Sequence, residues 1–288
     1  MSAPSADKIE YGPLPELGVG IGWRPEIAGV LERLPGLRFT EVVAESLTGG
    51  ALPTPLAQLR QRGVTVVPHG IRLSLGGTED LEQHRLAHLA RCADVLDAPL
   101  VSEHVAFVRA GGTEAGQLLP VPRTRDALNV LTGNVLAAQA QLPVPLALEP
   151  IAALFEWPED EMDEPAFLTE LLDRTGAWLL LDIANVYANA INRGDDPGAL
   201  LARLPLERIA YLHVAGGAEH DGFYHDTHTD PVSPEVFTLL SELCAVHRPP
   251  AVLLERDGDY PPGAQLRTEL DALACATRLP PITGKVPR

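Results

Sequence analysis

The stretch Trp178-Leu179-Leu180-Leu181-Asp182 is apolar from its first residue and stops on an acid. A strand with one wet face alternates apolar and polar residues, whereas a strand covered on both faces stays apolar throughout, as in a parallel sheet. Val64-Thr65-Val66-Val67-Pro68, which runs into His69, has the same character. Moving outward from these two, the same reading gives eight strands: Gly18–Gly22, Phe39–Val43, Val64–Pro68, Leu100–His104, Pro145–Glu149, Trp178–Asp182, Ile209–His213 and Ala251–Glu255. The gaps carry helical spacing. Glu79–Asp97 places Leu81, Leu86, Leu89, Cys92 and Leu96 on one stripe, and Thr124–Gln141 does so with Leu128, Leu131, Val135 and Leu136. Further helices are expected over Arg24–Leu34, Thr54–Arg62, Pro165–Thr175, Pro197–Leu204, Pro234–His247 and Gly263–Arg278. Pro197 after Asp195-Asp196 and Pro234 after Ser233 are helix-start signals.

Eight strands, each followed by a helix, predict an α/β chain folded as a single (β/α)8 barrel, with a doubly wound sheet as the structural competitor. No Gly-, Ser- or Pro-rich linker divides the chain. One domain is expected over 1–288, with a core at about 17–278 and loosely held ends up to Pro15 and from Pro280. Two insertions stand out. Phe107–Pro122 contains Gly111, Gly112 and Gly116, and Phe155–Glu164 contains Glu156, Glu159, Asp160, Glu161, Asp163 and Glu164. The acidic run reads as a solvated loop, or else as a docking surface for a basic partner.

Charge narrows the function. Among 288 residues, Lys and Arg number 22 against 39 Asp and Glu, a formal charge of −17. Such a surface repels phosphate, which argues against general nucleic-acid binding and against anionic membranes. Cys92, Cys244 and Cys275 are odd in number, far apart and without a CxxC, so neither a disulfide framework nor a thiolate zinc site is expected. Met1–Tyr11 lacks the pattern of a signal peptide, and no apolar run reaches the length of a membrane span. The expectation is a cytoplasmic protein.

The polar residues fall at strand ends. One strand runs into His69; others end at Ser102-Glu103-His104, Glu149, Asp182, His213 and Glu255; Asn185 and His225-Asp226-Thr227-His228 lie just beyond. In a barrel these ends open on one face, where catalytic residues sit. Imidazole with carboxylate suits Fe, Mn, Zn or Co. The number of groups exceeds what one ion needs, so two or three ions sharing a bridging carboxylate are expected, their charge relieving the repulsion among the acids. Each residue alone has a plainer explanation: a surface histidine, a Glu255–Arg256 pair, a turn at Asp226-Thr227. It is their joint placement that points to metal. His84 and His88 are spaced i, i+4 but lack HExxH and lie on an outer helix, so they read as surface residues. Gly18-Val19-Gly20-Ile21-Gly22 is not G-x-G-x-x-G and reads as a strand passing close to its neighbours or to ligand. There is no GxSxG and no P-loop.

The segments Val67-Pro68-His69-Gly70, Leu73-Ser74-Leu75-Gly76-Gly77, Val101-Ser102-Glu103-His104, Leu181-Asp182-Ile183-Ala184-Asn185-Val186-Tyr187, Leu212-His213-Val214-Ala215-Gly216, Asp226-Thr227-His228 and Leu254-Glu255-Arg256-Asp257 together carry a resemblance. Over roughly Leu17–Pro262 the chain is similar to the multinuclear non-heme iron-dependent oxidative enzymes, once a family of unknown function, of the methanobactin-biosynthesis-oxygenase kind. They belong to the xylose-isomerase-like TIM barrels. The resemblance implies two or three iron ions of mixed ferrous and ferric state, and O2 as oxidant. It implies a ribosomally made precursor peptide as substrate, modified at cysteine or another residue, and a partner protein that presents it. Carried onto this sequence, the ligands are His69, His104, Glu149, Asn185, His213, Asp226, His228 and Glu255. Asp182 is a further ligand or an acceptor that orients a histidine. Glu149 is the natural bridge, and Glu149, Asp226 and His228 are the expected catalytic residues. The chain departs from the family pattern at Ala184, Pro150 and Thr229-Asp230, which touches the surroundings of the ligands rather than the ligands themselves.

Two other readings remain at this level: a Mn-, Mg- or Zn-dependent sugar isomerase or endonuclease-type hydrolase of the same superfamily, and a metal-binding barrel without catalysis.

Overall fold

The structure, a computed structural model, describes residues 13–48 and 51–283. In chain order the elements are β1 (Gly18–Gly22), α1 (Ala28–Leu31), β2 (Phe39–Val43), α2 (Thr54–Gln61), β3 (Thr65–His69), α3 (Gln83–Leu96), β4 (Val101–His104), β5 (Ala106–Ala110), β6 (Thr113–Pro120), α4 (Arg125–Gln139), β7 (Leu146–Glu149), α5 (Glu164–Thr175), β8 (Trp178–Asp182), α6 (Ile183–Arg193), α7 (Pro197–Leu201), β9 (Ile209–Val214), β10 (Ala218–His220), β11 (Phe223–His225), α8 (Pro234–Val246), β12 (Ala251–Leu254) and α9 (Gly263–Thr277). β1, β2, β3, β4, β7, β8, β9 and β12 pair in parallel, each with its neighbour in this series, and β1 pairs with β12 to close the barrel. Closure rules out the doubly wound sheet.

The barrel interior follows from the period-two alternation of strands. Phe39, Val67, Leu100, Ala147, Leu180, Tyr211 and Leu253 form one packed cluster inside. Val42, Val66, Val101, Leu148, Leu179, Leu181, Leu212, Val252 and Leu254 alternate with them and pack against the helices. Gly20 is required by this interior: a Cβ there would lie 2.5 Å from the Phe39 ring. Two residues further along each strand, the inward position is polar: Glu41, His69, Ser102, Glu149, Asp182, His213 and Glu255, all buried. The apolar cluster is thus the floor on which a polar layer stands.

Several local expectations are corrected. Arg24–Leu34 is a 3-10 turn at Pro25–Ile27 followed by the single turn of α1, not one helix. The Phe107–Pro122 insertion is an antiparallel hairpin, β5–β6. The acidic run is solvated at Glu156, Glu159, Glu161 and Asp163, as expected, but most of its acids also have partners within the chain. Glu156 and Asp160 pair with Arg123, Glu164 with Arg193 and Asp163 with Arg203. Glu161 accepts from the Arg125 amide. α6, absent from the sequence reading, begins directly after β8 without a loop and ends at Gly194 in the left-handed region, φ 78°. The expected loose ends fall mainly on residues 1–12 and 284–288, outside the described residues. Within them, Ile282 is buried and its carbonyl accepts from the Gly36 amide, so the chain is held beyond Pro280.

Candidate metal centre

The polar layer converges at the C-terminal mouth of the barrel. Strand register does part of this work: His104 lies opposite Glu149, and Asp182 opposite His213. Glu149 is central. Its Oε2 is 3.5 Å from His69 Nε2 and 3.4 Å from His104 Nε2, and its Oε1 is 3.3 Å from His213 Nδ1. His213 Nδ1 is also 3.0 Å from Glu255 Oε2. Donor atoms approach within 4.8 Å of one another in four overlapping groups: His69–His104–Glu149, Glu149–Asp182–His213–Glu255, Asp182–Asp226–His228 and His228–Glu255–Asp257. Residues from His69 to Glu255 are therefore brought together, every one that the sequence singled out as a ligand. Asn185, one turn into α6, joins them at the cavity wall.

Each side chain is aimed by a local device. Asp182 ends β8 and caps α6: its Oδ1 accepts from the amides of Ala184 at 2.6 Å and Asn185 at 3.1 Å, which leaves Oδ2 free to face the site. Asn185 Nδ2 donates to the Pro150 carbonyl at 3.2 Å, turning Oδ1 inward. His228 has φ 57°, a left-handed conformation uncommon for a residue with a Cβ. It is pinned there by donating its amide to Gly216 O and accepting from Asp257 N, each at 2.9 Å. Gly216 permits that approach, since a Cβ on it would lie 1.9 Å from Asp230 O. So held, His228 Nε2 meets Asp226, and Nδ1 lies 3.1 Å from Asp257 Oδ2. Arg256 does not pair with Glu255. It is buried and bonds Glu269 instead, which leaves the Glu255 carboxylate for the mouth.

Glu149 Oε2, Asp182 Oδ2, Asn185 Oδ1, His213 Nδ1 and Asp226 Oδ1 are buried and have no hydrogen-bond partner. An unpaired buried polar atom costs roughly 1–3 kcal/mol, more when charged. Five of them around one mouth make it a candidate cation site. The proton equilibria agree. Burial, then the charges of Asp226 and Glu149, push Asp182 up to about 8. Burial works against protonation of His104, but Glu149, Glu103 and Glu255 outweigh it and hold the imidazole at about 9. Burial would also raise Glu255, yet His228 and His213 hold it well below the usual carboxylate range. Oxygen and nitrogen donors with negative charge in excess fit hard or borderline divalent ions.

Above the layer is a cavity of about 400 Å³. Val43, Ile71, Leu118 and Ile151 give it apolar walls, and Arg24 sits at its rim, donating to Asp257 Oδ1 at 3.1 Å. Leu118 comes from the β5–β6 hairpin, so that insertion shapes the entrance. The sequence reading missed Arg24 and gave Asp257 no role. It also missed Glu41, whose Oε2 is 3.0 Å from His213 Nε2, although Glu41 shows the common signal of a lone acid inside the apolar strand Phe39–Val43. His84 is exposed as expected, but His88 is half-buried and its Nε2 is 2.8 Å from Ala44 O, away from the mouth.

The comparisons with known proteins agree with this architecture. Among solved structures, the fold resembles a xylose isomerase domain protein from Planctomyces limnophilus, with a TM-score of 0.57 and 14% identity over 92% of this chain and 98% of that one. It also resembles endonuclease IV from Thermus thermophilus, with a TM-score of 0.58 and 19% identity over 89% and 98%. Identities this low establish the fold alone, a xylose-isomerase-like barrel. In sequence, the chain is 56% identical over 264 residues to a UPF0276 protein of Streptomyces avermitilis, covering 89% of this chain but only 54% of that one, so it spans about half of that relative's length. A UPF0276 protein of Chromobacterium violaceum is 39% identical over 87% of this chain and 91% of its own. Residues 18–278 match the model of the RiPP precursor modification enzyme MbnB/TglH/ChrH, a span that includes every residue of the mouth, and the chain belongs to that family.

Proposed function

We propose that this chain is a multinuclear non-heme iron enzyme that uses O2 to modify a ribosomally made precursor peptide, with a cysteine side chain as the target. The observation that carries the reading is the set of buried, unpartnered donor atoms on Glu149, Asp182, Asn185, His213 and Asp226. Family membership supplies the peptide. His69 and His104 with Glu149 would hold one ion; Glu149, Asp182, His213 and Glu255 a second; Asp182, Asp226 and His228 a third, with Asn185 beside them on the cavity wall. Bound iron would supply one-electron chemistry with O2 as the oxidant.

The chain's own residues have separate tasks. The apolar walls formed by Val43, Ile71, Leu118 and Ile151 exclude water and seat the peptide. Asp226 and His228 lie on the cavity wall where a substrate side chain would meet the centre, and with Glu149 they are the groups expected to act there. Arg24 offers the rim a cation in a chain whose balance is −17. A partner protein that presents the peptide, and a cytoplasmic setting, belong to the same reading.

The test is metal analysis with Mössbauer spectroscopy on protein purified without oxygen, followed by reaction with a Cys-containing peptide encoded beside it. At least two irons per chain and an O2-dependent mass change in the peptide are expected, with Glu149→Ala and His213→Ala both losing iron. Full iron and activity in either variant would overturn the assignment. Anaerobic turnover of a sugar or of DNA with Mn, Mg or Zn would replace it with the isomerase or hydrolase reading.

A further inference from the structure

Beneath the mouth, inward-facing polar side chains from three strands touch in a line. Tyr211 Oη is 2.6 Å from Glu41 Oε2 and 2.8 Å from Ser102 Oγ. Ser102 Oγ is in turn 2.8 Å from His69 Nδ1, while Glu41 Oε2 is 3.0 Å from His213 Nε2. All five residues are buried. The line begins on one imidazole of the mouth and ends on another, and the side of each ring away from the line faces Glu149.

We propose that Glu41, Tyr211 and Ser102 are positioning residues: a hydrogen-bond chain that converges on Glu41 and fixes which ring nitrogen His69 and His213 present to the metal centre. The inference rests on the metal reading above. Its logic is donor and acceptor counting. A carboxylate only accepts, so both Tyr211 O–H and His213 Nε2–H donate to Glu41. The phenol has then used its only proton, and Ser102 must donate to the Tyr211 oxygen. With its own proton spent, Ser102 accepts from His69 Nδ1–H. One carboxylate thereby orders four protons. When the rings are neutral, as metal ligation requires, His69 offers Nε2, 3.5 Å from Glu149, and His213 offers Nδ1, 3.3 Å from the same carboxylate and 3.0 Å from Glu255. The two rings are turned opposite ways, which is what strands β3 and β9, facing each other across a barrel floor, need in order to bring both lone pairs to one carboxylate. A chain that served packing alone would not need both ends to fall on rings of the metal centre. Partners of this kind orient metal-bound histidines and raise their basicity, and their loss typically costs 10–100-fold in metal affinity.

The test uses the full chain as wild type, Glu41→Gln and Tyr211→Phe. Tyr211 and His213 both reach Glu41 Oε2, so Gln can still accept from both at one oxygen, but it removes the negative charge that makes the acceptor obligatory and raises the basicity of His213. Phe keeps the ring and removes the link to Ser102. Affinity for ferrous iron is measured under argon against a competing chelator, with the thermal midpoint of the metal-free protein as the folding control. A zinc-loaded crystal structure of the wild type then reads the coordinating nitrogens directly. The expected result is binding through His213 Nδ1 and His69 Nε2. Affinity should fall about 10–100-fold in Glu41→Gln, and by less in Tyr211→Phe, where His213 keeps its carboxylate. If Glu41→Gln does not fold, Tyr211→Phe carries the affinity arm alone. Coordination through His213 Nε2, or wild-type affinity in the folded variants, would overturn this inference while leaving the metal reading intact. Wild-type protein that binds neither iron nor zinc would overturn both.

Discussion

Asp182 has two oxygens with two tasks, and the pair can be separated. Oδ1 closes the first turn of α6, while Oδ2 is buried without a partner. Asn caps a helix about as well as Asp, whereas Ala forfeits about 1 kcal/mol. Asp182→Asn should therefore keep the metal-free fold, and its thermal midpoint should match or exceed that of the wild type, because a carboxylate pushed up to about 8 by burial and by Asp226 is gone. The same variant should lose metal. Asp182→Ala should lose both, and thermal melts beside metal titrations of the two variants distinguish cap from ligand. At this scale the sequence was informative where a polar residue ended an apolar strand, as at Glu149 and His213. Its signal was weaker at Glu41, a lone acid in an apolar strand, because Val42-Val43 follow and make the acid look like an interior accident. The barrel's stagger is the reason: strands are tilted, so the polar layer meets β2 at an inward position before its end. Tyr211 was hidden differently, since a tyrosine in an apolar strand reads as core until its hydroxyl is given a partner.

Elements show a similar division. The eight barrel strands were legible because both faces are buried and each is bounded by a break in apolarity. α6 was not, since its N-cap is also the last residue of β8, so no polar loop separates strand from helix. The acidic run from Phe155 to Glu164 could not be read for its partners either. Arg123, Arg193 and Arg203 come from other segments, and nothing local predicts that they converge. Arg123 is the staple: its guanidinium reaches Glu156, Asp160 and the Met162 carbonyl, and its amide donates to Asp160 Oδ1 at 2.7 Å. Arg123→Ala leaves Asp160, 13% exposed, without its counter-charge. A loss of about 2 kcal/mol in denaturant melts is expected, at the scale of hydrogen bonds to charged groups. The loop from 152 to 162 should also become the first site of proteolysis. An unchanged melt and digest would mean that the acids are held by other contacts. The Arg203–Asp163 pair, by contrast, is exposed on both sides and contributes little.

Taken whole, the molecule gathers a dense set of acids and imidazoles in its centre while its surface already carries excess negative charge, and this makes its stability depend on pH in a definite direction. Asp182 titrates at about 8 in the folded chain against 3.8 for the free group, so between those values the folded state holds a proton that the unfolded state has lost. His104 titrates at about 9 against 6.5, with the same consequence between those values. For both groups stability falls as pH rises. The Asp182 penalty grows from above pH 4 and is complete by about 8, while the His104 contribution is full below 6.5 and gone above about 9. Metal-free protein should therefore melt at progressively lower temperature from pH 6.5 to 9. Under the proposed function metal would displace the protons from these groups, so metal affinity should rise over the same interval as the melting temperature of the metal-free chain declines. Loaded protein should accordingly lose the downward slope, and uptake of metal at pH 7 should release protons that an indicator dye in weak buffer can count. A metal-free chain whose melting temperature climbs through that window would show that the mouth does not hold these protons and that its charges do not call for a cation.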